Sequence, residues 1–264
     1  MLWIALDGAV NVRDVGGMPT DDGSMTAEKQ LLRADNLQGL SGADVSRLVE
    51  EFGLTRVVDL RSVAEVTSEG PGPLTAVPSV EHVHHSVIPA DGDAAMLDQG
   101  NVAVVSDVLL ARRERFASAN PDDVVSGHYL GYLEDRPDSV VAALRAIAGT
   151  PGAALVHCAA GKDRTGVIVA LALLAVGVNR DAVVADYVAT AERIHAILAR
   201  LRSSITYAEG VNQVSDEQHT PRASGMERFL GLIDSRHGGV TRWLADQGFG
   251  EPDVDLLRNK LLTG

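Results

Sequence analysis

The sequence predicts an α/β fold: a central, largely parallel β-sheet flanked by helices, the fold of one domain spanning residues 1–264. Three observations predict it. The β-branched run 55–60 and the wholly apolar run 153–156 are short and bounded by turn-forming residues, as strands are. Longer segments between and after them place apolar residues at helical spacing. Strands alternating with helices build layered folds around one core, and no linker divides this chain.

Taken in order, Ser41 caps a helix whose apolar face is Ala43, Val45, Leu48, Val49 and Phe52, and Gly53 ends it. Thr55 to Leu60 is a strand, and Glu81 to Ile88 reads as a second. An acidic, glycine-containing loop follows from Pro89 to about Gln99. Helices are expected over 104–116 and 138–148, with Tyr129 and Tyr132 packed on the segment between them. Ala153 to Val156 is a buried parallel strand. The chain is helical from Arg164 to Val176, turns at Gly177 and resumes at Asp181. The stretch 210–225 is polar and rich in turn formers, 226–236 is helical, and 240–262 reads as helix, Gly248-Phe249-Gly250 turn, helix.

Composition narrows the function. Lys and Arg number 23 against 36 Asp and Glu, a net charge of −13. That argues against nucleic-acid partners and against docking on anionic lipid, although one site can still be locally positive. The longest apolar run, Val167 to Val178, is too short to cross a bilayer. The apolar opening Met1 to Leu6 lacks a basic leader and stops at Asp7, so a cytoplasmic protein is expected. The single cysteine, Cys158, excludes an intramolecular disulfide framework and a multi-thiolate metal site. Alternation puts His82 and His84 on one strand face, but no second cluster completes a coordination shell. Neither a metal nor an organic cofactor is expected.

The chemistry lies in Val156-His157-Cys158-Ala159-Ala160-Gly161-Lys162-Asp163-Arg164-Thr165-Gly166. The string joins a predicted strand to a predicted helix, so its backbone turns at a sheet end and aims several N–H groups at one spot. Gly161 permits the tight turn. Arg164, separated from Cys158 by five residues, can grip phosphate oxygens through two parallel N–H bonds. At the base of such a cradle Cys158 is favoured as thiolate, a nucleophile in line with phosphorus. The bland alternative is a small core cysteine, which the spacing to Arg164 alone would not outweigh. The whole string in strand–loop–helix context does.

That string resembles the phosphate-binding loop of the cysteine-dependent tyrosine phosphatases, and its Gly-Lys-Asp-Arg-Thr-Gly form is similar to a bacterial subgroup that includes mycobacterial enzymes. Asn11 to Gly17, Leu32 to Leu37, Val58 to Ser62 with Glu65, Val183 to Tyr187, and Gly238-Gly239 with Trp243-Leu244 match the same subgroup, so the resemblance covers most of the chain. It implies Cys158 as nucleophile and Arg164 as phosphoryl-binding group. It implies Ala159, Ala160, Gly161 and Lys162 as substrate-binding loop positions, and Thr165 as a hydroxyl bonded to the sulfur. His157 orients the loop. For the general acid it implies Asp163, with Asp91 the runner-up on the acidic loop and Asp93 a solvated neighbour. Lys162 either meets a second phosphate, as in phosphoinositide phosphatases, or only offsets Asp163. Asp59 and Arg61 either line the pocket or pair structurally with Glu65, and Arg13 with Asp14 braces the N-terminal segment. A lid is implied around 197–224, where the sequence is short and turn-rich enough to put closed helices in doubt. The partners implied are phosphorylated proteins or phosphoinositides as substrates. A phosphate-binding module without turnover, and sulfur transfer by a lone loop cysteine, are the competing classes.

Overall fold

The computed structural model describes residues 2–89 and 124–263. Among them a six-stranded sheet runs in the order β1 (Leu2–Trp3), β2 (Arg13–Asp14), β3 (Leu31–Ala34), β6 (Ala153–His157), β4 (Leu54–Asp59), β5 (Glu81–His84). The pairs β1–β2 and β2–β3 are antiparallel, and β3–β6, β6–β4 and β4–β5 are parallel. The predicted largely parallel sheet is therefore present, with an antiparallel N-terminal extension.

Strand β6 explains the layering. Alternate residues enter opposite cores: Ala154 and Val156 on one face, Ala153 and Leu155 on the other. Both faces are covered, which is why this strand is wholly apolar. The larger layer holds α3 (Val124–Asp135), α4 (Pro137–Ala148), α5 (Asp163–Ala175), α6 (Arg180–Ala189), α10 (Ala223–His237), α11 (Val240–Asp246) and α12 (Glu251–Leu261). The opposite layer holds α1 (Gly42–Ser46), a π-helical turn over Arg47–Glu51, and Leu74 in a 3₁₀ turn. The segment after α6 forms α7 (Ile194–Ser203), α8 (Ala208–Asn212) and α9 (Asp216–His219).

Several expectations hold in detail. Ser41 caps α1 through a capping box with Asp44, whose carboxylate also accepts the Asp7 and Gly8 N–H groups at 2.8 and 2.9 Å. The predicted strands at 55–60 and 153–156 are β4 and β6. The helices predicted around 138–148 and 226–236 are α4 and α10. The segment carrying Tyr129 and Tyr132 is itself helical. The predicted strand 81–88 stops at His84, because β5 pairs with β4 only over Arg56–Asp59 and β4 ends there. Beyond it Ser86 Oγ accepts the Ile88 N–H at 3.2 Å and turns the chain. The helix expected over 104–116 lies outside the described residues, as do Asp91 and Asp93. No helix among the described residues is long and apolar enough to cross a membrane.

Arg13 and Asp14 both brace the N-terminal segment, through separate partners. Arg13 Nε reaches Asp186 on α6 at 2.8 Å, and Arg33 on β3 pairs with the other oxygen of the same carboxylate. Asp14 instead accepts the N–H groups of Gly16 and Lys29, at 2.8 and 2.7 Å. All three charged members of the Arg13–Asp186–Arg33 cluster are buried. Asp186→Ala would strand two guanidiniums, and should cost about 3–5 kcal/mol. Chemical denaturation of the variant beside the parent protein reads this directly.

Candidate active site

Residues 158–162 connect β6 to α5. Because β6 lies between β3 and β4 with parallel register, this loop emerges in mid-sheet beside the segments that follow both neighbours. Those neighbours take its carbonyls. The N–H of Leu60 donates to His157 O at 3.0 Å and that of Asn36 to Ala159 O at 2.9 Å. Asn11 Nδ2 donates to Ala160 O at 2.9 Å, and Arg33 Nη2 to Gly161 O at 2.7 Å. With its carbonyls engaged from behind, the loop keeps its N–H edge for the opposite side, an anion-binding concavity. Gly161 is needed for this. Its φ is +64°, and a Cβ there would lie 2.4 Å from the Ala34 carbonyl oxygen.

Cys158 and Arg164 are both buried at this spot. The guanidinium is held in a two-bond grip by Glu65, Nη1 to Oε2 at 2.5 Å and Nη2 to Oε1 at 2.8 Å. Glu65 belongs to α2 (Val63–Glu69), where its carboxylate also accepts the Ser62 N–H at 2.7 Å in a capping box. Burial pushes the Glu65 carboxyl up, but the charge and hydrogen bonds of Arg164 outweigh it and hold it below its ordinary value. Burial likewise disfavours charge on Arg164, and Glu65 more than restores it. The anticipated Arg61–Glu65 pairing is not formed: Arg61 Nη2 binds Asp59 at 2.6 Å, because Glu65 is already spent on Arg164.

Asp163 opens α5. Its Oδ1 accepts the Tyr129 hydroxyl at 2.5 Å, and Tyr129 meets the Tyr187 hydroxyl at 2.6 Å. Burial pushes this carboxyl up, while Lys162 and the Tyr129 hydrogen bond outweigh it and leave it below its ordinary value. Lys162 Nζ lies 3.5 Å from Asp163 Oδ2 and donates to the His219 carbonyl on α9 at 2.8 Å. The expected bond from Thr165 to the cysteine sulfur is not formed. Its hydroxyl is wholly buried on the first turn of α5 and has no hydrogen-bond partner among the described residues, so its donor stays unspent there.

These groups floor a cavity of about 300 Å³ in which Cys158, Ala159, Ala160, Lys162, Asp163 and Arg164 all take part. Tyr129 and Tyr132 of α3, apolar residues of α7, and Tyr207, Val211 and His219 wall it. The part of the chain read as turn-rich is thus largely helical and lines the cavity. Its short helices were hidden by polar outward faces: α9 has no buried residue. A larger cavity of about 480 Å³ lies across the sheet, lined by Asp59, Arg61, His82 and His157 among mainly apolar neighbours. Its lining includes neither Cys158 nor Arg164, so chemistry rather than size selects the smaller one.

His157 lines the larger cavity one residue before Cys158, its Nε2 3.6 Å from Asp59 and its Nδ1 3.3 Å from Cys158 O. Burial outweighs the pull of Asp59 and lowers its pKa to about 4, so it is neutral at physiological pH. Histidine NMR titration should therefore show one imidazole with a midpoint near 4, charged only below that pH and absent from His157→Gln.

Sequence reasoning had not found Tyr187, Arg33 or the Glu65–Arg164 pairing. Ser62-x-x-Glu65 was a readable helix start, but nothing in the sequence tells which arginine its carboxylate meets.

Comparison with known proteins agrees with this geometry. The model of the tyrosine phosphatase family matches residues 4–263. The chain is 31% identical over 283 residues to the triple specificity protein phosphatase PtpB of Mycobacterium tuberculosis, covering 97% of this chain and 98% of that one. It is 31% identical over 265 residues to a putative tyrosine-protein phosphatase of Cupriavidus necator, covering 99% and 89%. It is 26% identical over 156 residues to a tyrosine-protein phosphatase of Nostoc commune, covering 56% and 52%. With a loop, an arginine and a cavity of this kind, and a match over nearly its whole length, the chain belongs to the tyrosine phosphatase family.

Proposed function

We propose that this phosphatase hydrolyses phosphotyrosine, and with it phosphoserine, phosphothreonine and phosphoinositide monoesters, by double displacement on Cys158. The observation that carries the reading is the convergence of the chain's one cysteine, an oriented arginine and a carboxylate on one N–H-lined loop in one cavity.

In the first step the Cys158 thiolate attacks phosphorus, the S–P bond forms, and the P–O bond to the leaving group breaks. Asp163 gives its proton to that departing oxygen. Arg164 and the loop N–H groups from Ala159 to Arg164 take the three remaining phosphoryl oxygens, where charge grows in the transition state. In the second step Asp163 takes a proton from water, the water oxygen bonds to phosphorus, and the S–P bond breaks to restore the thiolate. The unspent Thr165 hydroxyl is a suitable donor to that leaving sulfur. Water and the ester are the only reactants, so the balance needs no metal or organic cofactor.

Asp163 must be protonated for the first step, yet in the free protein its carboxyl is held low. A bound phosphate dianion reverses this, because a like charge in the cradle disfavours the carboxylate. The mainly apolar and aromatic walls suit an aryl ester. Lys162 could meet a second phosphate only by releasing the His219 carbonyl, and the segment 197–224 is the proposed lid that this release would free.

Phosphate release from a phosphotyrosine peptide and a soluble phosphoinositide, with Cys158→Ser as blank, tests the reading. Cys158→Ser should lose more than about 10³-fold on either substrate. Arg164→Lys, which keeps charge but loses the two-pronged grip, should lower kcat about 10²-fold. Comparable lipid and peptide activity, with the lipid activity alone lost in Lys162→Met, supports the second-phosphate role. Release that does not depend on Cys158, or none at all, refutes the enzyme reading in favour of a phosphate-binding module.

A further inference from the structure

We infer that Tyr129, backed by Tyr187, is a positioning residue that fixes which oxygen of Asp163 carries the transferable proton. The inference rests on the reading of Asp163 as general acid.

Counting protons gives the argument. A tyrosine hydroxyl has one proton, and that of Tyr129 goes to Asp163 Oδ1. At the 2.6 Å contact between the two hydroxyls, Tyr187 is therefore the donor. Burial, with the neighbouring Asp163 charge, raises the pKa of both phenols, so both stay protonated. An oxygen already accepting the Tyr129 proton is a poor place for the acid's own. The proton is left to Oδ2, on the side of Lys162.

The two rings cannot swing away. Tyr129 is wholly buried, edge-on to Tyr187 at 6.1 Å and to Phe229 at 5.7 Å, and stacked on Tyr132 at 6.2 Å. Gly166 makes room for the second ring: a Cβ there would sit 3.0 Å from Tyr187 Cδ2. This gives the last glycine of the loop motif a purpose that phosphate binding does not require. The other groups that bear on Asp163 are Lys162 beside it, His128 on α3 and Tyr187 on α6. His128 Nε2 is bonded to the Tyr132 hydroxyl at 2.6 Å, and Arg33 on β3 acts on Tyr187. Among the described residues, the hydroxyl that donates to Oδ1 is that of Tyr129.

The test compares pH–rate profiles of the parent protein, Tyr129→Phe, Tyr187→Phe and Asp163→Asn on two substrates. One is a phosphotyrosine peptide, whose leaving group needs a proton; the other is dinitrophenyl phosphate, whose leaving group does not. Tyr129→Phe removes a bond that favours the carboxylate, so the pKa of Asp163 rises and the alkaline limb moves to higher pH. With the carboxyl no longer held, kcat on the peptide should fall about tenfold, part of the 10²–10⁴ that general acid catalysis supplies. On dinitrophenyl phosphate kcat/KM, which reports thiolate attack and not the later step in which Asp163 takes a proton from water, should stay within about twofold. Tyr187→Phe, which leaves the Tyr129–Asp163 bond in place, should move the limb the same way by less, and serves if Tyr129→Phe fails to fold. Equal losses on both substrates, or an alkaline limb that does not move, would overturn the positioning role. Asp163→Asn separates the two readings: if it spares the peptide rate, Asp163 is not the acid and the underlying assignment fails instead.

Discussion

The site depends on one buried carboxylate. Glu65 closes the first turn of α2 by accepting the Ser62 N–H, and spends its remaining capacity on both outer nitrogens of Arg164. Neither charge tolerates burial alone, and removing one partner of such a pair typically costs about 3–5 kcal/mol. The pair is thus better understood as a constraint on geometry than as a source of stability. It ties α2 to α5, the helix that follows the phosphate loop, and holds the guanidinium in one orientation.

The loop itself is shaped by what lies behind it. Four donors, from the segments around β2, β3 and β4, meet its carbonyls, and one of them, Arg33, also belongs to the buried cluster with Asp186 and Arg13. In a protein of net charge −13, each of these cations is held by a named acceptor: Arg164 by Glu65, Lys162 by the His219 carbonyl beside Asp163, and Arg13 and Arg33 by Asp186. Asp163 sits where this scaffold meets the cavity: Lys162 on one side and the tyrosine pair on the other determine its ionisation and its proton. On the proposed reading the leaving group's proton comes from a carboxylate fixed at the start of α5.

Legibility followed locality. Ser41, the apolar run 153–156 and the string from His157 to Gly166 announce their roles within a few residues, so the central strand, the helix after it and the loop were readable. Strand β3 was not, because Arg33 interrupts it with a charge whose partners, Asp186 and the Gly161 carbonyl, are 153 and 128 residues away. The same holds for Glu65, 99 residues from the arginine it holds, and for Tyr129, 34 residues from Asp163. The helices over the cavity were obscured for another reason. They bury few residues each, so the periodic signal that reveals a packed helix is weak in 208–219.

The most direct measurement is to trap the covalent intermediate. The protein is mixed rapidly with a phosphotyrosine peptide, quenched in acid, digested, and searched by mass spectrometry for phosphate on the peptide that contains Cys158. The account predicts a phosphate bound through sulfur at Cys158, formed within the first turnover and absent from Cys158→Ser. Product release at full rate with Cys158 unmodified at every quench time, or phosphate carried on another side chain, would contradict it.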